Sequence, residues 1–190
     1  MKNIAIFASG NGSNAQQIAE HFKNHPSARI ALILSNKADA FVLQRAKNLE
    51  IPSAVFTRAD FYDTNNVLEI LLDHNIDFIV LAGFMWLVPK NLVMAYPDAI
   101  VNIHPALLPK YGGKGMYGSN VHKAVIEAGE KESGITIHKV NEHYDEGNIL
   151  FQAQCGISET DTPEMLAQKV AQLEHMHYPI IIEQCIKNNI

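Results

Sequence analysis

Cysteine is nearly missing from this chain: 190 residues contain only Cys155 and Cys185. They lack any Cys-x-x-Cys spacing, so neither a disulfide framework nor a thiolate zinc site is indicated, and both read as reduced core residues. Long apolar runs are absent too. The apolar, uncharged stretch Phe78 to Pro89 falls well short of the roughly 20 residues a membrane-spanning helix requires. The N-terminal run Ile4 to Ala8 is too short for a signal peptide, so a cytoplasmic location is expected. Positive charge is in the minority, with 15 Lys and Arg against 20 Asp and Glu for a net charge of −5. That balance argues against a surface built to neutralise nucleic-acid phosphates, and small soluble partners are expected instead. Nine histidines are present but scattered. His175 and His177 would lie about 200° apart around a helix, and no metal site is expected. No repeat, low-complexity tract or linker marks a boundary, so residues 1–190 are expected to form a single domain.

What is there is a 47% hydrophobic chain with enough apolar residues for a full core. Short apolar runs at Ile4–Ala8, Ile30–Leu34, Ala54–Phe56, Phe78–Ala82 and Ile100–Ile103 alternate with helix-compatible segments. Those segments are Ala15–Phe22, Ala40–Leu49, Asn65–His74 and Lys90–Tyr96. Such alternation predicts a parallel sheet flanked by helices. Further on, Gly134–Val140 and Ile149–Cys155 are joined only by the polar segment Asn141–Asn148, which is too short for a crossover and favours an antiparallel pair. A last helix is expected to start with Thr162 as cap and Pro163 in first position, and Pro179 is expected to kink or split it. The fold class is α/β: a Rossmann-like mixed sheet, mostly parallel, with a C-terminal antiparallel pair and helices on both faces.

The most informative motif is Asn-Ile-His-Pro at Asn102–Pro105. Strand alternation puts Asn102 and His104 on one face, and Pro105 ends the ladder, so both should sit at a strand's end, where open α/β sheets bind ligands. An amide donor beside an imidazole, whose ordinary pKa is about 6.5, suits a reaction that builds negative charge on oxygen. A carboxylate such as Asp145 would complete the set by favouring protonated His104 or relaying a proton. Acyl transfer is the chemistry suggested. Turn formation is an equal alternative for Asn-His-Pro and, for Asp145 taken by itself in Asp-Glu-Gly, the favoured one; their joint occurrence raises the case for a site.

Between the first strand and first helix, Ser9-Gly10-Asn11-Gly12-Ser13-Asn14 offers free N–H groups where a helix dipole favours an anion. It is not the full G-x-G-x-x-G fingerprint, and the second strand is not followed by an isolated acidic residue, which counts against NAD. A purely structural turn is the alternative. The stretch Lys110–Gly118 lacks Walker A spacing and reads as a mobile flap, a tight path beside a ligand, or an ordinary surface loop.

Taken together, SGNGSN at Ser9–Asn14, SNKADA at Ser35–Ala40, LAGFM at Leu81–Met85, NIHPALLP at Asn102–Pro109 and LEHMHYP at Leu173–Pro179 closely resemble the phosphoribosylglycinamide formyltransferases, a folate-dependent family of purine synthesis. The resemblance spans nearly the whole chain. NIHPALLP is similar across the wider formyltransferases, including the methionyl-tRNA enzymes, and so points to the chemistry; GNGSN and the short length point to the acceptor. The resemblance implies that Asn102, His104 and Asp145 transfer a formyl group from the co-substrate 10-formyltetrahydrofolate to the amine of glycinamide ribonucleotide, without a metal. It implies that Gly12, Ser13 and Asn14 hold the acceptor's phosphate and that Glu174 orients its ribose hydroxyls or amine. Met85, Trp86, Leu87, Val88 and Asn102, with Glu142 and His143, would bind folate; core packing and solvated helix positions are the plain alternatives for Met85–Leu87 and Glu174. Trp86 stands where many relatives carry Arg, Thr64 falls near another such Arg, and Lys110–Gly118 is longer than in many relatives. His138 resembles a histidine near the family's site, though its strand pattern favours a structural role. A monomer or homodimer is expected.

Overall fold

The computed structural model describes residues 1–188, so the last two positions of the expected 1–190 domain lie outside the described residues. The elements run β1 (Lys2–Phe7), α1 (Ser13–Phe22), β2 (Ala28–Ser35), α2 (Phe41–Asn48), β3 (Ser53–Val55), α3 (Arg58–Tyr62), α4 (Asn66–Asp73), β4 (Phe78–Leu81), α5 (Lys90–Ala95), β5 (Ile100–His104), α6 (Ser119–Glu127), β6 (Glu132–Lys139), β7 (Ile149–Gly156) and α7 (Pro163–Asn188). One seven-stranded sheet has the order β3-β2-β1-β4-β5-β6-β7. Strands β1 to β5 pair in parallel, and β6 and β7 are antiparallel additions to β5.

The period of two along each strand divides the core into two layers. Ile4, Ile6, Ile33, Val80, Val101 and Ile103 pack on one face with residues of α1, α2, α6 and α7. Ala5, Phe7, Leu34, Ile79, Leu81 and Ile100 pack on the other with residues from α3, α4 and α5. All expected strands form. Two helices go beyond those expected: α3, five residues long and fixed by a Thr57–Asp60 capping box, and α6, whose buried Val121 and Val125 are one turn apart.

Helix α7 starts as expected, with the Met165 N–H donating to Thr162 Oγ1 at 3.3 Å. The expected split at Pro179 does not occur: a 26-residue helix runs through it. Proline inside a helix costs roughly 3 kcal/mol, and here Tyr178, Pro179, Ile181 and Ile182 are all buried, so tertiary packing outweighs that cost. The Tyr178 hydroxyl also reaches Leu81 and Val101 carbonyls, at 2.9 and 3.2 Å, tying the helix to the ends of β4 and β5. No helix among the described residues is long and apolar enough to cross a membrane.

The strand order reverses between β1 and β4, so the loops leaving their carboxyl ends diverge and open a crevice there. Ser9 N–H donates to the Gly83 carbonyl at 3.1 Å, and Met85 N–H to Ser9 Oγ at 3.3 Å, which fixes the two loops to each other.

Candidate active site

Strand β5 delivers Asn102 and His104 to the floor of this crevice, beside β4 on one side and β6 on the other. Asn102 stands opposite His138, and His104 opposite Thr136. His104 is 3% exposed. Its Nε2 lies 2.7 Å from the Tyr111 carbonyl, an acceptor only, so Nε2 carries the hydrogen and Nδ1 is bare in the neutral ring. That Nδ1 faces Asp145 Oδ2 at 3.5 Å.

Asp145 takes a left-handed backbone conformation, φ 57°, between β6 and β7. The Gly113 N–H donates to Oδ2 at 2.9 Å, and His138 Nε2 stands 3.5 Å from Oδ1. His138 Nδ1 is 2.8 Å from the Lys139 carbonyl, and its Nε2 lies 3.2 Å from the Asn102 amide nitrogen. Asn102, His104 and Asp145 thus meet as the sequence suggests, with His138 as a fourth member.

Burial lowers the His104 pKa below its ordinary 6.5, outweighing the Asp145 charge and the Tyr111 carbonyl, which push it up. Asp145 does favour protonated His104, as expected, but desolvation outweighs it and sets the net direction. For Asp145 burial acts upward, yet His138, the nearby His104 and the Gly113 N–H together hold the carboxyl below its usual 3.8. At neutral pH the pair is a neutral imidazole facing a carboxylate.

The crevice has a volume of about 860 Å³. Asn102, His104 and Asp145 line it together with the polar Ser13, Asn14 and Glu174 and the apolar Met85, Trp86, Leu87 and Val88. Asn14 Nδ2 donates to Glu174 Oε2 at 2.7 Å, while burial raises the Glu174 carboxyl above its ordinary value despite that bond. His143 lines the crevice. Glu142 and Gly12 do not: Glu142 pairs with Lys90 at 3.5 Å, and Gly12 lies under the loop at φ 74°, where an added Cβ would come within 2.4 Å of Val42 Cγ2. Trp86 is packed by Phe56, Phe61, Tyr62 and Phe84, with the Arg58 guanidinium 5.7 Å from its ring. Thr64, away from the lining, donates to the Asp60 carbonyl at 3.2 Å.

His122 lines the crevice without any signal in the sequence, while Tyr144 and Met116 line it from segments read only as loops. Of the readings open for Lys110–Gly118, a tight path beside the site fits best: Gly113 to Gly118 line the crevice, and a Cβ on Gly112 would stand 2.6 Å from Leu108 Cδ2. Among the described residues, no three His, Cys, Asp or Glu side chains converge in a way that would hold a metal ion.

A sheet of this kind hosts many activities, so the arrangement at the end of β5 has to carry the assignment. A model of the family described as formyl transferase matches residues 2–182. The chain belongs to the formyl transferase family. Among curated relatives, a chloroplastic phosphoribosylglycinamide formyltransferase of Arabidopsis thaliana is 42% identical over 187 residues, covering 95% of this chain and 64% of its own length. Phosphoribosylglycinamide formyltransferase of Bacillus subtilis is 38% identical over 194 residues, covering 100% of this chain and 97% of its own. The chain spans less than two thirds of the chloroplastic relatives it matches, at 64% and 62%. Among solved structures, glycinamide ribonucleotide transformylase 1 of Symbiobacterium toebii superposes with a TM-score of 0.90 at 32% identity, over 99% of this chain and 89% of that one. A formyltransferase therefore presents its amide, imidazole and carboxylate in a crevice that also has polar and apolar lining.

Proposed function

We propose that this formyl transferase moves the formyl group of 10-formyltetrahydrofolate onto the amino group of glycinamide ribonucleotide, yielding formylglycinamide ribonucleotide and tetrahydrofolate for purine synthesis. The observation that carries the reading is that the amide, imidazole and carboxylate share one crevice with both polar and apolar lining. His104 and Asp145 stand where an anionic nucleotide in the polar half and a flat heterocycle against Trp86 would bring amine and formyl carbon together. Ser13 and Asn14, with Gly12 shaping the loop, would hold the phosphate, and Glu174 the ribose hydroxyls or amine. Met85, Trp86, Leu87 and Val88 would hold the pterin, with Glu142 and His143 in the loop that closes over it; the Lys90–Glu142 ion pair supports that placement.

In this reading the amine attacks the formyl carbon directly, and the tetrahedral intermediate's oxygen takes hydrogen bonds from Asn102 and His104. Asn102 leaves His138 and His104 leaves the Tyr111 carbonyl to make them. The bare Nδ1 of His104 then accepts the amine's proton through water, and the imidazolium gains the Asp145 carboxylate as partner. Breaking the carbon–nitrogen bond to the folate returns that proton to the folate nitrogen. No covalent enzyme intermediate and no metal enter. The unpaired Cys155 and Cys185 support a reducing, cytoplasmic setting. One continuous sheet supports a single domain, acting as a monomer or homodimer on these two small molecules, with the net charge of −5 speaking against nucleic acid.

The test follows an isotopically labelled formyl carbon. Label recovered in the amide of the ribonucleotide supports the reading. Label recovered as free formate would mean a hydrolase, and binding of both molecules without transfer would mean a nucleotide-binding module; either overturns it.

A further inference from the structure

The glycine loop is held from behind by a side chain that does not line the crevice. Arg45 lies in the last turn of α2, its guanidinium 5.0 Å from the centre of the Phe41 ring one turn earlier. Its Nε–H donates to the Asn11 carbonyl at 2.8 Å and its Nη2 to Asn11 Oδ1 at 2.7 Å, while Nη1 donates to Gln16 Oε1 in α1. One planar fork fastens the backbone and side chain of a loop residue and the first turns of the next helix, which a lysine's single ammonium cannot reproduce. Nearby, the Val42 N–H donates to the Gly10 carbonyl at 3.1 Å.

The helix this loop feeds is left bare. Helix α1 has no side-chain cap and no acidic residue in its first turn, and Asn14 Oδ1 is buried without a hydrogen-bond partner. Asn11 precedes the cap position and lines the crevice, and asparagine oxygens are among the best acceptors for exposed N–H groups at a helix start. Freed from Arg45, the Asn11 side chain would turn onto those N–H groups and occupy the place an anion would take.

We infer that Arg45 is a positioning residue for the acceptor's phosphate: by holding Asn11 away it keeps the N–H groups of Gly12, Ser13 and Asn14 open, and its charge sits behind them. The inference rests on the proposed reading of this loop as the phosphate half-site. Arg45 touches no reacting atom, so its influence runs through the phosphate alone.

Steady-state kinetics of Arg45→Met, Arg45→Lys and the double variant Arg45→Met with Asn11→Ala test this, using glycinamide ribonucleotide and its dephosphorylated ribonucleoside as acceptors. Arg45→Met raises KM for the ribonucleotide roughly tenfold, the scale of a lost charge-assisted contact. Its kcat and its KM for the folate stay within about twofold, and its rate with the ribonucleoside matches the wild type. Arg45→Lys recovers only part of the loss, and removing the Asn11 amide as well restores much of it. An unchanged KM, or an equal loss with both acceptors and with folate, overturns the inference. If the wild type transfers no formyl group, the functional reading fails separately and inorganic phosphate decides: a Tm raised in the wild type but not in Arg45→Met supports the clamp, and an equal or absent rise in both overturns it.

Discussion

His104 is where sequence and structure agree most and where the chemistry is most exposed to test. Strand alternation and the stop at Pro105 put Asn102 and His104 together at the end of β5 from sequence alone, and the register bears that out. Asp145 is 41 positions beyond His104; the chemistry called for a carboxylate and Asp145 was a candidate, but no local spacing reports that a loop after β6 folds back to the pair. His138 was harder still, since its place opposite Asn102 depends on the antiparallel register. On the mechanism proposed, His104→Ala lowers kcat by roughly 10² to 10³, as measured by steady-state turnover. The pH profile has a definite sign. Burial keeps the His104 pKa below 6.5, so the ring that must accept the proton is already neutral at pH 7. The rate is therefore flat through neutrality and falls on the acid side, with a midpoint below 6.5. Asp145 raises that pKa, so in Asp145→Asn the residual rate should fall at a still lower pH. A wild-type midpoint at or above 6.5, or an upward shift in the variant, contradicts the assignment.

Helix α7 shows what element-scale reading gets right and misses. Its Thr162-Pro163 start was legible because capping is local, whereas its passage through Pro179 was not, because the packing that holds it comes from β4 and β5. α3 was missed because a capping box, not an apolar period, defines so short a helix. Near its carboxyl end, α7 is clasped to α1: Glu183 receives Lys187 from its own helix, His21 Nε2 at 2.8 Å and His25 Nε2 at 3.3 Å. Contacts from Lys187 and His21, against a small burial effect and with help from His25, bring the Glu183 carboxyl down from 4.5 to about 2. A folded-state pKa below the unfolded one means the folded protein binds fewer protons, so this contribution is fully present above 4.5 and disappears as pH falls through about 2. Glu183→Gln should lower Tm above pH 4.5, and the gap from wild type should close on acidification. A gap that widened instead would show that the clasp does not depend on the carboxylate.

Across the whole molecule, strand order does the positioning. β1, β4 and β5 lie side by side, so the glycine loop, the Met85–Val88 segment and the Asn102–His104 pair, widely spaced in sequence, meet around one crevice. A parallel sheet flanked by helices was legible, but its strand order was not, because alternation with helices narrows the topologies without choosing one. The inner lining was legible only as loops: which side chains point inward, His122, Tyr144 and Met116 among them, depends on tertiary packing that no local pattern reports. Membership of the formyl transferase family rests on residues 2–182, and the fold carries its polar and apolar half-sites on that same stretch. The central claim is that formyl transfer needs both half-sites filled and His104 between them. The most direct test is the rate of tetrahydrofolate formation from 10-formyltetrahydrofolate, with and without glycinamide ribonucleotide, in wild type and His104→Ala. The account expects turnover only with the acceptor and only in the wild type; an acceptor-independent rate, or one that survives loss of His104, would contradict it.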